Sequence, residues 1–205
     1  AAMLKKAVSL HQRGTLAEAE GLYQEIVAQA PNHFDALHLL GVIQHQRGRH
    51  EAAVELIERA IRVNSDQAAA HSNLGNALQS LQRHTQALTS YDRALMYPDA
   101  LFNRGGTLLD LNRYEAALAD YSRAIALKPA YAEALNNRGI VLLRLKRSEE
   151  ALTDFDAALA LNPGYAEALN NRGAILVDAK QYDAAAVNFS RLLAVAPDYK
   201  YALGH

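Results

Sequence analysis

Cysteine and tryptophan are both absent from this 205-residue chain, and methionine occurs only twice. The first absence excludes disulfides and thiolate chemistry, although it does not decide the compartment. An excess of one charge is missing too: 21 Lys and Arg stand against 22 Asp and Glu, and residues 1–97 carry nine of each. With no basic stripe, electrostatics give no support for nucleic acid or an anionic membrane as partner. No apolar run approaches the roughly 20 residues of a bilayer span, and no signal peptide is recognisable. A cytoplasmic setting without membrane attachment is the expectation.

A period takes the place of these signals. Gly41 and Gly75 lie 34 residues apart, the same step recurs from Gly105 to Gly139 to Gly173, and each glycine has an alanine twelve places on: Ala53, Ala87, Ala117, Ala151, Ala185. Ala-Leu-Phe-Asn-Arg-Gly at 100–105 returns as Ala-Leu-Asn-Asn-Arg-Gly at 134–139 and 168–173. A fixed period of this length means stacked helical hairpins. Alignment on the glycines gives one array with repeats at 1–33, 34–67, 68–97, 98–131, 132–165 and 166–199, and 200–205 opening a seventh. Leu135, Gly139 and Leu142, then Ala151, Phe155 and Ala158, follow helical spacing on either side of a polar Lys146-Arg147-Ser148 turn. Glycine inside a helix costs about 1 kcal/mol relative to alanine, so its recurrence needs a gain. Close approach of the paired helices across the small alanine is the expected one.

The third unit is shorter, since Gly75 to Gly105 is 30 residues. Either its second helix ends a turn early and Pro98 opens the next helix, or a closing loop is missing from the text. Arg104, Arg138 and Arg172 stand just before their glycines in units that also carry Asp120, Asp154 or Asn188, whereas Leu40 and Leu74 accompany Leu56 and Ser90. Such paired change predicts internal contacts, because a partly buried guanidinium needs a partner. An anion-binding arginine row is the alternative.

The glycine, the alanine, an aromatic four places later (Tyr23, Tyr91, Tyr121, Phe155, Phe189) and a closing proline (Pro31, Pro129, Pro163, Pro197) resemble the tetratricopeptide repeat over essentially the whole chain. The second repeat departs from the pattern with Ile57 and Ser65, and leucine (Leu37, Leu101, Leu135, Leu169) holds the place of the family's tryptophan. The resemblance implies an all-α, right-handed solenoid superhelix of stacked helix-turn-helix hairpins. It also implies that first helices line a concave groove that binds protein.

Two residues before the glycine stand Asn73, Asn103, Asn137 and Asn171. Asparagine is a poor helix former, so its return at one place argues for use of an amide that both donates and accepts. With first helices about 10 Å apart and an extended chain advancing about 3.3 Å per residue, one asparagine would meet every third peptide residue. The alternative use of these amides is to bridge neighbouring helices or cap local carbonyls. Around them, His38, His45, His11, Gln12, Gln46, Ser72, Asn76 and Gln79 make the early part of the groove polar; Leu109, Ile140, Leu143, Ala174 and Val177, flanked by Asn136 and Asn170, make the later part apolar. The expected occupant is an extended polypeptide.

The asparagine row, with the closing text 197–205, is also similar to the repeat region of O-linked N-acetylglucosamine transferases and their bacterial SPINDLY-like relatives. In those proteins the resemblance implies a substrate-recruiting arm. No nucleotide-sugar site is recognisable, so no enzyme and no cofactor is expected within these residues. His38, His45 and His11 could form a three-imidazole site, but no carboxylate or cysteine stands at ligand spacing and polar lining is the commoner use, so no metal is expected. Ser72 and Ser80 lack a nucleophile elbow. A carboxylate clamp of the co-chaperone type would need lysines where His38, Ser72, Phe102, Asn136 and Asn170 stand. The competing reading is a scaffold for a secretion, pilus or signalling assembly that uses convex or edge surfaces. Both ends lack a capping residue, and Phe189, Leu192 and Leu193 call for a following helix. The terminal repeat is therefore expected to fray or self-associate.

Overall fold

A computed structural model describes residues 1–199. Among these the fold is all-α, with twelve helices in hairpin pairs and no strand: α1 (Ala2–Gln12), α2 (Leu16–Gln29), α3 (Phe34–Gln46), α4 (His50–Val63), α5 (Ala68–Ser80), α6 (His84–Tyr91), α7 (Pro98–Asp110), α8 (Tyr114–Leu127), α9 (Ala132–Arg144), α10 (Ser148–Leu161), α11 (Ala166–Asp178) and α12 (Tyr182–Val195). Odd helices are the first and even helices the second of each repeat. The seventh unit, and with it most of the closing text 197–205, lies outside the described residues. Two compact units divide the chain, Ala1–Met96 with α1 to α6 and Tyr97 onward with α7 to α12.

Each second helix turns a stripe of i, i+4, i+7 spacing inward: Ala53, Ile57 and Ala60 in α4, Ala117, Tyr121 and Ala124 in α8, Ala151, Phe155 and Ala158 in α10, all with no exposed surface. Burying each large side chain contributes about 2–3 kcal/mol. The glycine of the first helix faces that large side chain. A Cβ on Gly75 would stand 2.5 Å from the Tyr91 ring, one on Gly105 2.9 Å from Tyr121, and one on Gly139 2.7 Å from Phe155. In the second repeat the same space is filled by Ile57, 2.6 Å from the Cβ position of Gly41. Glycine and ring are therefore one device, and at Gly41 the Ala53 carbonyl, 3.2 Å from the Cβ position, adds the close approach expected across the alanine.

Every first helix closes in the same way. The amide two residues beyond the C-cap returns to the carbonyl five residues back, as in Arg49 to Gln44 (2.9 Å), Arg83 to Leu78 (2.9 Å), Arg113 to Leu108 (2.8 Å) and Arg147 to Leu142 (2.9 Å). This closure needs one left-handed residue. Gly14 and Gly48 supply it at φ 78° and 75°, but Gln82, Asn112, Lys146 and Lys180 hold the same place at φ 56–60°.

The short third repeat ends as the first alternative stated. Helix α6 has 8 residues where α4 has 14. Two tight bonds, Arg93 to Ser90 (3.2 Å) and Ala94 to Tyr91 (2.8 Å), follow it. Pro98 then stands in the first turn of α7, where its missing N–H leaves nothing unsatisfied.

The arginines pair as the repeats imply. Arg104 meets Asp120 through Nε (2.6 Å) and Nη2 (2.7 Å), and Arg138 meets Asp154 in the same fork. Arg172, whose own repeat offers an amide, donates to Asn188 Oδ1 at 3.2 Å and reaches back to Asp156 at 2.6 Å. No anion-binding row is left open.

Candidate peptide-binding face

First helices of successive repeats touch lightly within each unit, α3 with α5 and α7 with α9 with α11. Their shared face carries the residues singled out by sequence. Three polar bonds run across it, and each joins residues 35 apart, one more than the period. His11 Nε2 meets Gln46 Oε1 at 3.1 Å, Asn73 Nδ2 donates to His38 Nε2 at 2.9 Å, and Asn171 Nδ2 donates to Asn136 Oδ1 at 3.1 Å. Residue p of one helix thus faces residue p+35 of the next.

This places the asparagine row. Asn73 and Asn171 bind their neighbouring repeat, which is the bridging use of the amide. Asn136 keeps only 2% of its surface, donates to Asn137 Oδ1 at 3.3 Å and accepts from Asn171. Burial removes it from the exposed flank where the sequence reading put it. His38, 9% exposed, is likewise a framework acceptor rather than open lining. The place opposite Asn137 is Phe102, which offers no polar atom and packs against Tyr131 and Tyr121 with ring centroids 5.1 and 5.8 Å away. Asn137 and Asn170 are half-buried on the same face, as is Asn103. Asn76 accepts the Tyr91 hydroxyl at 2.8 Å, with Gln79 Oε1 3.1 Å from the same oxygen.

The second unit lacks those two acceptors. Gly106 and Leu109 stand where Asn76 and Gln79 do, and Tyr121 keeps a fully buried hydroxyl with no hydrogen-bond partner. Burial pushes the pKa of Tyr121 well above the ordinary phenol value; the Asn137 amide opposes this from nearby without meeting hydrogen-bond geometry. Later repeats dispense with the hydroxyl: Phe155 and Phe189 hold the tyrosine's place, and Ile140 with Leu143, then Ala174 with Val177, hold the places of Asn76 and Gln79. Leu109 and Leu143 are half-buried and Val177 is 37% exposed, so an apolar line runs along α7, α9 and α11.

Sequence reasoning missed the strongest polar cluster of the first unit. Glu20, 7% exposed, accepts from Arg47 (2.6 Å), Arg49 (2.8 Å) and Gln44 (2.9 Å) of the next repeat. Its burial would raise the carboxyl pKa, but the Gln44 bond and the Arg49 and Arg47 charges outweigh it and hold the group below its ordinary value. A carboxylate followed 27 and 29 residues later by arginines around a turn glycine was the available signal.

His45 Nδ1 lies 3.0 Å from His50 Nδ1, away from His38, which bonds Asn73; burial first, then the His50 charge, lower the His45 pKa. Among the described residues no three His, Cys, Asp or Glu side chains gather to hold a metal, and no helix is long and apolar enough to cross a membrane. His71, adjacent to Ser72, bonds the Ser65 carbonyl at 2.8 Å.

Models of the tetratricopeptide repeat match residues 10–76, 70–99 and 132–165, and a model of the TPR repeat matches 105–146, so that together they run over 10–99 and 105–165. The chain belongs to the tetratricopeptide repeat family. Tetratricopeptide repeat protein 7B of Homo sapiens is 32% identical over 83 residues, a stretch that covers 40% of this chain and 10% of that protein. Among solved structures, YrrB, described as a TPR protein with an unusual peptide-binding site, superposes with a TM-score of 0.71 at 22% identity, covering 88% of this chain and 95% of that one. Pseudomonas aeruginosa PilF reaches 0.86 at 18% identity, covering 98% and 93%. PilW, described as a widely conserved type IV pilus biogenesis factor, reaches 0.86 at 18%, covering 98% and 94%. At these identities the likeness to the solved structures is one of fold.

Proposed function

We propose that this tetratricopeptide repeat protein is a non-catalytic interaction module that holds an extended polypeptide on the first-helix face of its second unit. The apolar line Leu109, Leu143 and Val177, bordered by the half-buried amides of Asn137 and Asn170, carries the reading. Apolar peptide side chains would rest on the line while carboxamides meet the peptide backbone, a mostly apolar site with a few fixed polar groups. Asn73 and Asn171 are left out of that role because they link repeats.

The test is panning of random 12-residue peptides against the full chain, followed by affinity measurement with the selected binders. Leu143→Asp should abolish binding. Asn137→Ala should weaken it about five- to tenfold, the worth of one hydrogen bond. Binding unchanged in both variants, with helicity intact, would discard this reading.

A narrower form makes the module the recruiting arm of an O-linked glycosyltransferase. It rests on the asparagine row and the closing text alone, and it predicts a glycosyltransferase domain in the coding sequence beyond His205. A second reading, an assembly scaffold, draws on Tyr182 and Val187 of α12, 62% and 65% exposed. Partner loss on Val187→Asp, with peptide binding retained, would favour it.

A further inference from the structure

The places of His45, at the end of α3, and His50, at the start of α4, carry other pairs elsewhere in the chain: Gln79 with His84, Leu109 with Tyr114, Leu143 with Ser148, Val177 with Tyr182. The hairpin therefore has no structural need for two imidazoles there. In the second repeat the two Nδ1 atoms converge to 3.0 Å, with ring centroids 4.9 Å apart and ring planes inclined by 54°. Both side chains are half-buried and reachable from solvent.

The connection that holds them is rigid. Gly48 donates to the His45 carbonyl and Arg49 to that of Gln44, both at 2.9 Å, around the left-handed Gly48. Arg47 and Arg49 flank the pair, but both are tied to Glu20 at 2.6 and 2.8 Å, so their charge is partly cancelled where a cation would sit. The geometry points to a two-nitrogen chelate at His45 and His50 for a divalent transition metal, with Cu(II) favoured.

Two metal–nitrogen bonds of about 2.0–2.1 Å that span 3.0 Å meet close to a right angle. That bite fits adjacent positions of a tetragonal or square-planar centre, as Cu(II) and Ni(II) prefer, better than a tetrahedral zinc. In the metal-free neutral pair one Nδ1 carries the hydrogen and the other accepts it. On metal uptake this proton moves to Nε2 of its own ring, so both Nδ1 lone pairs become available with no net proton change. Solvent or donors from a partner fill the other positions. The fixed turn reduces the ordering cost that a floppy two-ligand site would carry.

The test is titration of the full chain with CuCl2, NiCl2 and ZnCl2 against a glycine competitor, read by calorimetry and, for copper, by electron paramagnetic resonance. One copper per chain is expected, with hyperfine coupling to two nitrogens and the order copper over nickel over zinc. His45→Gln and His50→Ser borrow residues that Gln79 and Ser148 already place in the same hairpin, so both should fold, with helicity checked by circular dichroism. Each should abolish the site and the copper-induced rise in melting temperature. Copper binding that survives either substitution undiminished overturns the proposal and assigns the close imidazoles to a simple hydrogen bond.

Discussion

Arg138 grips Asp154 through two parallel bonds, Nε to Oδ2 at 2.7 Å and Nη2 to Oδ1 at 2.6 Å, while Nη1 reaches Ser122 of the preceding repeat at 3.3 Å. The carboxylate side chain is 5% and the guanidinium side chain 25% exposed. Removing the acid alone strands a mostly desolvated cation. Asp154→Ala should cost about 2–4 kcal/mol, at the low side of buried pairs because the arginine keeps some water. Arg138→Leu with Asp154→Leu recreates the Leu40 and Leu56 pair of the second repeat. In urea denaturation that double variant should recover most of the loss, and additive losses would show that the pair is not the unit of stability.

Two glycines inside helices should respond to alanine in opposite directions. A Cβ at Gly105 would lie 2.9–3.1 Å from the Tyr121 ring, which is fully buried and has nowhere to move. Gly105→Ala should destabilise by about 1–3 kcal/mol through overpacking, despite a helix-propensity gain of about 1 kcal/mol. Gly21, in the interior of α2, has nothing within 4 Å of its Cβ position. There Gly21→Ala should stabilise by about 0.5–1 kcal/mol. Thermal melts of the two variants would settle the contrast, and equal signs would contradict it.

The left-handed closures give a third outcome. Lys146 and Lys180 hold φ 60° and 58°, a conformation that costs a residue with a side chain about 1–2 kcal/mol. Glycine there loses about 0.5–1 kcal/mol in chain entropy, so Lys146→Gly should stabilise by up to about 1 kcal/mol. Asn112→Gly should gain less, because asparagine tolerates this region. A Lys146→Gly variant that melts lower than the parent would mean that the side chain contributes something its backbone strain conceals.

Helix pairing was legible because Gly105 with Ala117 and Tyr121, and Gly139 with Ala151 and Phe155, repeat one spacing whose meaning is steric. The Arg138–Asp154 contact was legible because two places change together between repeats. Lys146 and Lys180 hid the left-handed turn, since four residue types occupy one conformation that only glycine announces. For Asn73 and Asn171 the spacing of places 34 apart put a ligand-facing use ahead of the bridging alternative, which is the one that holds. The stacking offset sets residue p against p+35, so Asn136 with Asn171 and His38 with Asn73 were neighbours in plain text. Glu20 escaped notice because its partners come from the turn of another repeat.

His38 links that offset to pH. Asn73 Nδ2 can only donate, so the His38 Nε2 it meets at 2.9 Å must be an unprotonated acceptor. Burial pushes the His38 pKa below its ordinary 6.5, and Asp35, the charge acting on it, opposes this to a smaller extent. The unfolded imidazole therefore takes up its proton first as pH falls. The stabilisation is complete above about pH 6.5 and is lost as pH drops through the lower folded value. His38→Asn imitates the Asn136 and Asn171 pair, which makes the same cross-repeat bond without a titrating group. Melting temperatures between pH 7.5 and 5.5 should fall more steeply in the parent than in His38→Asn, with the other seven histidines common to both. Parallel curves would mean that this imidazole does not couple the repeats to pH.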